Sequence, residues 1–185
     1  MERVFKRLIQ CLGFLCVFVI SPSMVYGQLS LISRQEALAS LFPGATITSE
    51  QIFLTAEQIE KIENISREKV RWKLYLRFIA THEGQVIGLS YVDTHVVRTK
   101  RESLLISLSP GGHVLRIDVT AFFEPPEYIP DERWFGQYEG ETVGPEIKLG
   151  RAIQPILGAT LTSRAVNSAV RRIHAINAVL QASKQ

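Results

Sequence analysis

Six consecutive residues near the C-terminus, Gly158-Ala159-Thr160-Leu161-Thr162-Ser163, have the types and spacing that hold an anion. Gly158 and Ala159 carry almost no side chain, so a ligand can approach the backbone closely. The hydroxyls of Thr160, Thr162 and Ser163 cluster at one point, and a helix is expected to follow with Thr162 or Ser163 as its N-cap. A helix N-terminus presents free N–H groups and a partial positive charge, which suit a phosphate. Ordinary capped helices also begin with hydroxyl residues. The segment by itself therefore fits two readings, an anion site and a plain helix start.

The elements that must position this segment follow from periodicity. A closing helix is expected from about Ser163 to Ala182, with Val166, Ala169, Val170, Ile173, Ile176 and Leu180 on one face. Arg164, Asn167, Arg171 and Arg172 fall largely on another. The middle of the chain changes to a period of two. Lys73–Ala80 reads as a strand whose apolar face is Leu74, Leu76, Phe78 and Ala80. Gln85–Val92, Ser103–Leu108 and His113–Thr120 follow as further strands, with Leu115, Ile117 and Val119 sharing a face in the last. The short links Glu83-Gly84 and Ser109-Pro110-Gly111-Gly112 favour an antiparallel meander. Upstream, Ser33 with Glu36 and Thr55 with Gln58 have capping-box spacing, so helices are expected from Ser33 to Leu41 and from Thr55 onward. The class is α+β: an antiparallel sheet with N-terminal helices and a C-terminal amphipathic helix packed on it.

Residues 121–150 are irregular and aromatic, and their prolines disfavour a long helix or a central strand. Such a loop forms a lid or a wall of a site. Its candidates are Glu124, Tyr128 and Trp134.

Composition narrows the class of function. The formal charge of +3 owes much to residues 1–27, where Arg3, Lys6 and Arg7 outnumber Glu2; the rest of the chain holds 18 basic against 17 acidic residues. A near-neutral domain lacks the clustered basic footprint of a nucleic-acid binder, so no nucleic-acid partner is expected. The basic start, the apolar stretch from Leu8 to Ile20 and the small residues near Gly27 read as a signal peptide over 1–27, cleaved or retained as a membrane anchor. That places the protein in the periplasm or otherwise outside the cytoplasm. Both cysteines, Cys11 and Cys16, lie in that stretch, which leaves the mature domain without disulfides, thiol nucleophiles or cysteine metal ligands. His82, His95 and His113 show no metal-ligand spacing and read as surface residues.

The motif segment resembles the flavin-attachment sequence of the FMN-binding domain family. That family includes extracytoplasmic subunits of the sodium-translocating NADH:quinone reductase and of the Rnf complex. Its pattern is Asp-x-x-Ser/Thr-Gly-Ala-Thr, often continued as x-Thr-Ser and a helix. The attached threonine maps to Thr160, with Gly158, Ala159, Leu161, Thr162 and Ser163 around it. The family's Asp position is Gln154 here, and its Ser/Thr position is Leu157. Glu124-Pro125-Pro126-Glu127-Tyr128, Trp134 and Phe135-Gly136-Gln137-Tyr138 resemble the turn and aromatic segment that precede the motif in the family. The resemblance spans roughly residues 70–180 and divides the chain into a leader (1–27), an N-terminal helical segment (28–69) and an FMN-binding domain (70–185).

The resemblance implies FMN as cofactor, joined to Thr160 through its phosphate. Tyr128 and Trp134 would flank the flavin ring, and Glu124 would accept a hydrogen bond or bias its potential; packing for the two aromatics and a turn role for Glu124 stand beside these readings. No histidine adjoins Thr160 to activate its hydroxyl, so the resemblance implies a separate FMN transferase, with FAD as donor and Mg²⁺ assisting. The other implied partner is a redox protein of the membrane or periplasm. An electron carrier leads, ahead of a flavin-dependent reductase of a small external acceptor and of a non-redox binding module. A near-copy of the motif, Gly44-Ala45-Thr46-Ile47-Thr48-Ser49, lacks the aromatic approach and the long helix. It reads as a linker or edge segment with Thr46 unmodified.

Overall fold

The computed structural model describes residues 31–183 apart from 143, 145 and 146, so the leader expected over 1–27 lies outside the described residues. Two capping boxes set the first two described helices, as the sequence predicts. Ser33 caps α1 (Arg34–Leu41), exchanging hydrogen bonds with Glu36, and Thr55 caps α2 (Ala56–Ser66) through Gln58.

Between and after them run five strands: β1 (Thr46–Phe53), β2 (Leu74–His82), β3 (Gln85–Val96), β4 (Arg101–Leu108) and β5 (Val114–Phe122). They form one antiparallel sheet in chain order. The near-copy of the motif is thus the start of edge strand β1, and the segment before residue 70 contributes a strand as well as helices. After β5 come a 3₁₀ turn (Pro126–Tyr128), the short helix α3 (Glu132–Phe135) and a second 3₁₀ turn (Gly136–Tyr138). The chain ends in α4 (Thr160–Ala182), 23 residues long.

Helix α4 lies with α2 across one face of the sheet. The main core joins Val166, Val170, Ile173 and Ile176 of α4 to Tyr91, Leu104, Ile106 and Ile117 of the sheet and to Ile62 of α2. Full burial of each such side chain contributes about 1.5–3 kcal/mol, which is how a single helix is held along its length. The opposite face is also covered. There α1 and Phe42 pack on Phe78, Ala80, Leu105 and Leu115.

This second layer corrects one strand reading. Phe78 and Ala80 of β2 share a face as expected, and it is the one covered by α1, while Tyr75 and Ile79 face the main core. Leu115 does not share a face with Ile117 and Val119, because a bulge between Ser107 and Leu108 of β4 inserts it as an extra residue opposite them.

The polar side expected of α4 is also partly buried. Arg172 donates to both oxygens of Asp93 at 2.9 Å, and Tyr91 donates to Asn177 at 2.8 Å. Asn167 is buried and donates to the hydroxyl of Tyr138. His95, read from sequence as a surface residue, is buried between Asp93 and Glu102 at 2.9 Å from each. Burial alone would depress its imidazole; the two carboxylates overturn this and raise it to about 9. Burial would raise Asp93, yet His95 and Arg172 hold it below the usual carboxylate value. The charges of this cluster compensate one another beneath the helix.

Candidate functional site

The start of α4 is set by a backbone turn and not by a side-chain cap. Gly158 takes φ +85°, a left-handed conformation, and turns the chain into the helix at Thr160. Ala159 occupies the N-cap position and offers no side-chain hydrogen bond. The cap expected at Thr162 or Ser163 is therefore absent, and the helix starts earlier. The reason lies in Ser163, whose hydroxyl donates to the carbonyl of Ala159 at 3.1 Å and accepts from the N–H of Ile156 at 3.0 Å. It ties the turn together from beneath.

The consequence is an open helix N-terminus. Ser163 makes the first intrahelical bond, to Ala159. The N–H groups of Thr160, Leu161 and Thr162 have no partner among the described residues. Such donors are satisfied by water or a ligand, and they carry the positive end of a helix dipole. Thr160 is exposed beside them.

These residues form one wall of a cleft of about 180 Å³. Gly158, Ala159, Thr160, Leu161 and Thr162 line it, facing Glu124 and Tyr128 from the loop after β5 and Val97 and Arg98 from the turn after β3. Seven of the nine residues proposed from sequence thus meet at one place, although Glu124 and Thr160 are far apart in the chain. Ser163 and Trp134 do not line it. Ser163 is spent on the turn. Trp134 is buried, edge-on to Phe135 and Tyr138 at 5.5 Å, and its indole Nε1 donates to the carbonyl of Gln154 at 2.6 Å. Gln137 accepts from the N–H of the same Gln154 at 2.8 Å. The aromatic segment therefore clamps the approach to the motif, which makes Trp134 a support of the site rather than its wall.

Glu124 has a structural task within the cleft. Its Oε1 accepts from the N–H groups of Thr99 at 2.7 Å, Lys100 at 2.8 Å and Arg98 at 3.2 Å, closing the turn between β3 and β4. Those bonds, led by Thr99, hold its carboxyl below the usual value, so it stays ionised. Tyr128 stands half-exposed at the end of the 3₁₀ turn. Arg98 stands in sequence within a small basic run with Lys100 and Arg101, which fits either a solvated strand end or a docking patch for an acidic partner. It has no ion pair among the described residues, and it puts a cation opposite the open helix end.

Unpaired N–H groups, a glycine-opened backbone, an arginine and a half-exposed aromatic ring fit a ligand with an anionic group and a flat body. Among the described residues there is no cluster of His, Cys, Asp and Glu fit for a metal, and no helix long and apolar enough to cross a membrane.

No family model and no curated protein matches the chain. The structure is similar to the crystal structure of NqrC from Shewanella oneidensis, with a TM-score of 0.52 and 14% identity over 79% of this chain and 89% of that chain. The chain has an NqrC-like fold.

Proposed function

We propose that the protein is an extracytoplasmic electron carrier that holds FMN in the cleft at the head of α4, bonded through its phosphate to Thr160. The observation that carries this reading is the meeting of Gly158–Thr162 with Glu124 and Tyr128 around an uncapped helix N-terminus. The NqrC-like fold supports it, because the motif independently resembles that of the FMN-binding domain family.

The residues present fit the group. The free N–H groups of Thr160, Leu161 and Thr162 and the guanidinium of Arg98 would hold the phosphate, and Tyr128 would flank the ring. When bound, the flavin supplies the redox chemistry; the chain orients it and keeps it from diffusing away. Attachment needs a transferase, since no histidine lines the cleft beside the Thr160 hydroxyl and the Glu124 carboxylate there is engaged by the β3–β4 turn. With FAD as donor, the Thr160 oxygen bonds to the phosphorus on the riboflavin side. The pyrophosphate bond breaks, AMP leaves, and the hydroxyl proton is released. A redox partner in the membrane or periplasm would exchange the electrons.

Intact mass after coexpression with an FMN transferase tests the reading. One FMN less one water should be gained, lost in Thr160→Ala and kept in Thr46→Ala. Dialysable flavin on an unmodified chain would retain the carrier and remove the bond. A colourless, unmodified protein after coexpression would point to a binding module without redox function.

A further inference from the structure

The five strands end together on the side of the cleft, and apolar side chains crowd that rim. Phe53 stands opposite Leu74 in register, and Val96 stands opposite Arg101. Phe123 directly follows β5, its N–H on the carbonyl of Arg101. Trp72 precedes β2 and donates its indole N–H to the carbonyl of Thr94, which fixes the ring against the sheet but leaves it open. Phe53 is 70% exposed, Phe123 64% and Trp72 61%, and Leu74 and Val96 are a little under half exposed. A soluble surface does not expose so many large apolar groups at one place without use for them.

A basic fringe surrounds the rim. Arg67, Arg71 and Lys73 lie on the segment leading into β2, and Arg98, Lys100 and Arg101 lie at the turn between β3 and β4. None of the six makes a side-chain ion pair among the described residues. The carboxylates nearby are engaged. Glu63 holds Lys69, Glu68 faces Arg171, and Glu124 closes the β3–β4 turn.

We infer that this rim docks on an anionic phospholipid surface, with Trp72, Phe53 and Phe123 entering the headgroup layer and the basic fringe meeting the lipid phosphates. Aromatic rings at headgroup depth with flanking lysine and arginine are the pattern of an interfacial anchor. Docking in this way brings the mouth of the cleft toward the membrane, because Val97 and Arg98, which line the cleft, directly follow Val96 of the rim.

Trp72 is its own reporter, since the only other tryptophan, Trp134, is buried. The full chain is titrated with phosphatidylglycerol vesicles and with phosphatidylcholine vesicles while its emission is followed. A blue shift is expected with the anionic vesicles alone, reversed at high salt. The triple variant Arg71→Gln, Lys73→Gln, Arg101→Gln should need roughly 100-fold more lipid for the same shift at low salt. Trp72→Phe should lose the shift while the emission of Trp134 stays as it was, which shows that the fold is intact. An equal shift with both lipids, or one that the triple variant leaves unchanged, overturns the proposal. So does a shift on raising protein concentration without lipid, which would assign the rim to a second copy. A shift with polyglutamate in place of vesicles would assign it to an acidic protein.

Discussion

The indole nitrogen of Trp134 lies 2.6 Å from the main-chain oxygen of Gln154, a hydrogen bond that joins the aromatic loop to the approach of the Thr160 turn. The bond is partly buried, so removing its donor leaves the carbonyl less well satisfied. Trp134→Phe should cost about 1–2 kcal/mol in a urea titration. Because Gln154 also leans on Gln137, the loss should pass to the turn and lower flavin incorporation at Thr160 without abolishing it. Full loading with a lowered urea midpoint would show that the clamp serves stability alone.

Stability should fall on the alkaline side because of His95. In the unfolded chain its imidazole releases its proton near 6.5, whereas in the fold the carboxylates of Asp93 and Glu102 keep it to about 9. Their stabilisation is complete below pH 6.5 and is lost as pH rises toward 9, up to about 3 kcal/mol. His174 acts in the opposite direction. Burial depresses it to about 4, so stability falls as pH drops from 6.5 toward 4 and the unfolded chain takes up the proton first. Urea midpoints across pH 4–9.5 should trace a dome (roughly this range is set by the two histidines). His95→Gln should flatten its alkaline limb and His174→Phe its acid limb; an unchanged slope in either variant would remove that histidine as the cause.

Gly88 lies directly under the ring of Phe42, where a methyl group would overlap the ring edge. Gly88→Ala should therefore cost about 1–3 kcal/mol through overpacking of the layer beneath α1. Phe42→Leu in the same chain should recover part of that loss, although alone it is destabilising. Strict additivity of the two in a double-mutant cycle would show that the ring had moved aside.

The parts of this fold that were legible in sequence are those governed by neighbours in the chain. Ser33 with Glu36 and Thr55 with Gln58 announce their helices, since a capping box is complete within four residues. What was hidden depends on distant partners. Arg172 meets Asp93 across 79 positions, so helical periodicity placed it in solvent while the structure buries it. His95 looked like a surface residue because Glu102 stands opposite it only once β3 and β4 pair. The bulge that turns Leu115 away from Ile117 leaves no mark in an alternating pattern. In the site, the motif and Glu124 and Tyr128 were readable by resemblance. Arg98 was not, because a turn residue beside two other basic residues looks like any solvated strand end.

The turn at Gly158 offers the most direct test of how the fold prepares the site. At φ +85° an L side chain is strained, yet no atom lies within 4 Å of where a Cβ would stand. A substitution there meets a conformational penalty alone. Gly158→Ala should cost about 1 kcal/mol, and the strain can be relieved only by rotating the backbone that aims the N–H groups of Thr160 and Leu161 into the cleft. Flavin incorporation should fall more than global stability does. Gly158→Asn is larger, but asparagine tolerates the left-handed region, so it should load better than the alanine variant. Mass spectrometry of both variants decides the matter. Better loading by asparagine assigns the role of Gly158 to backbone conformation, whereas better loading by alanine assigns it to the space that a bound group needs.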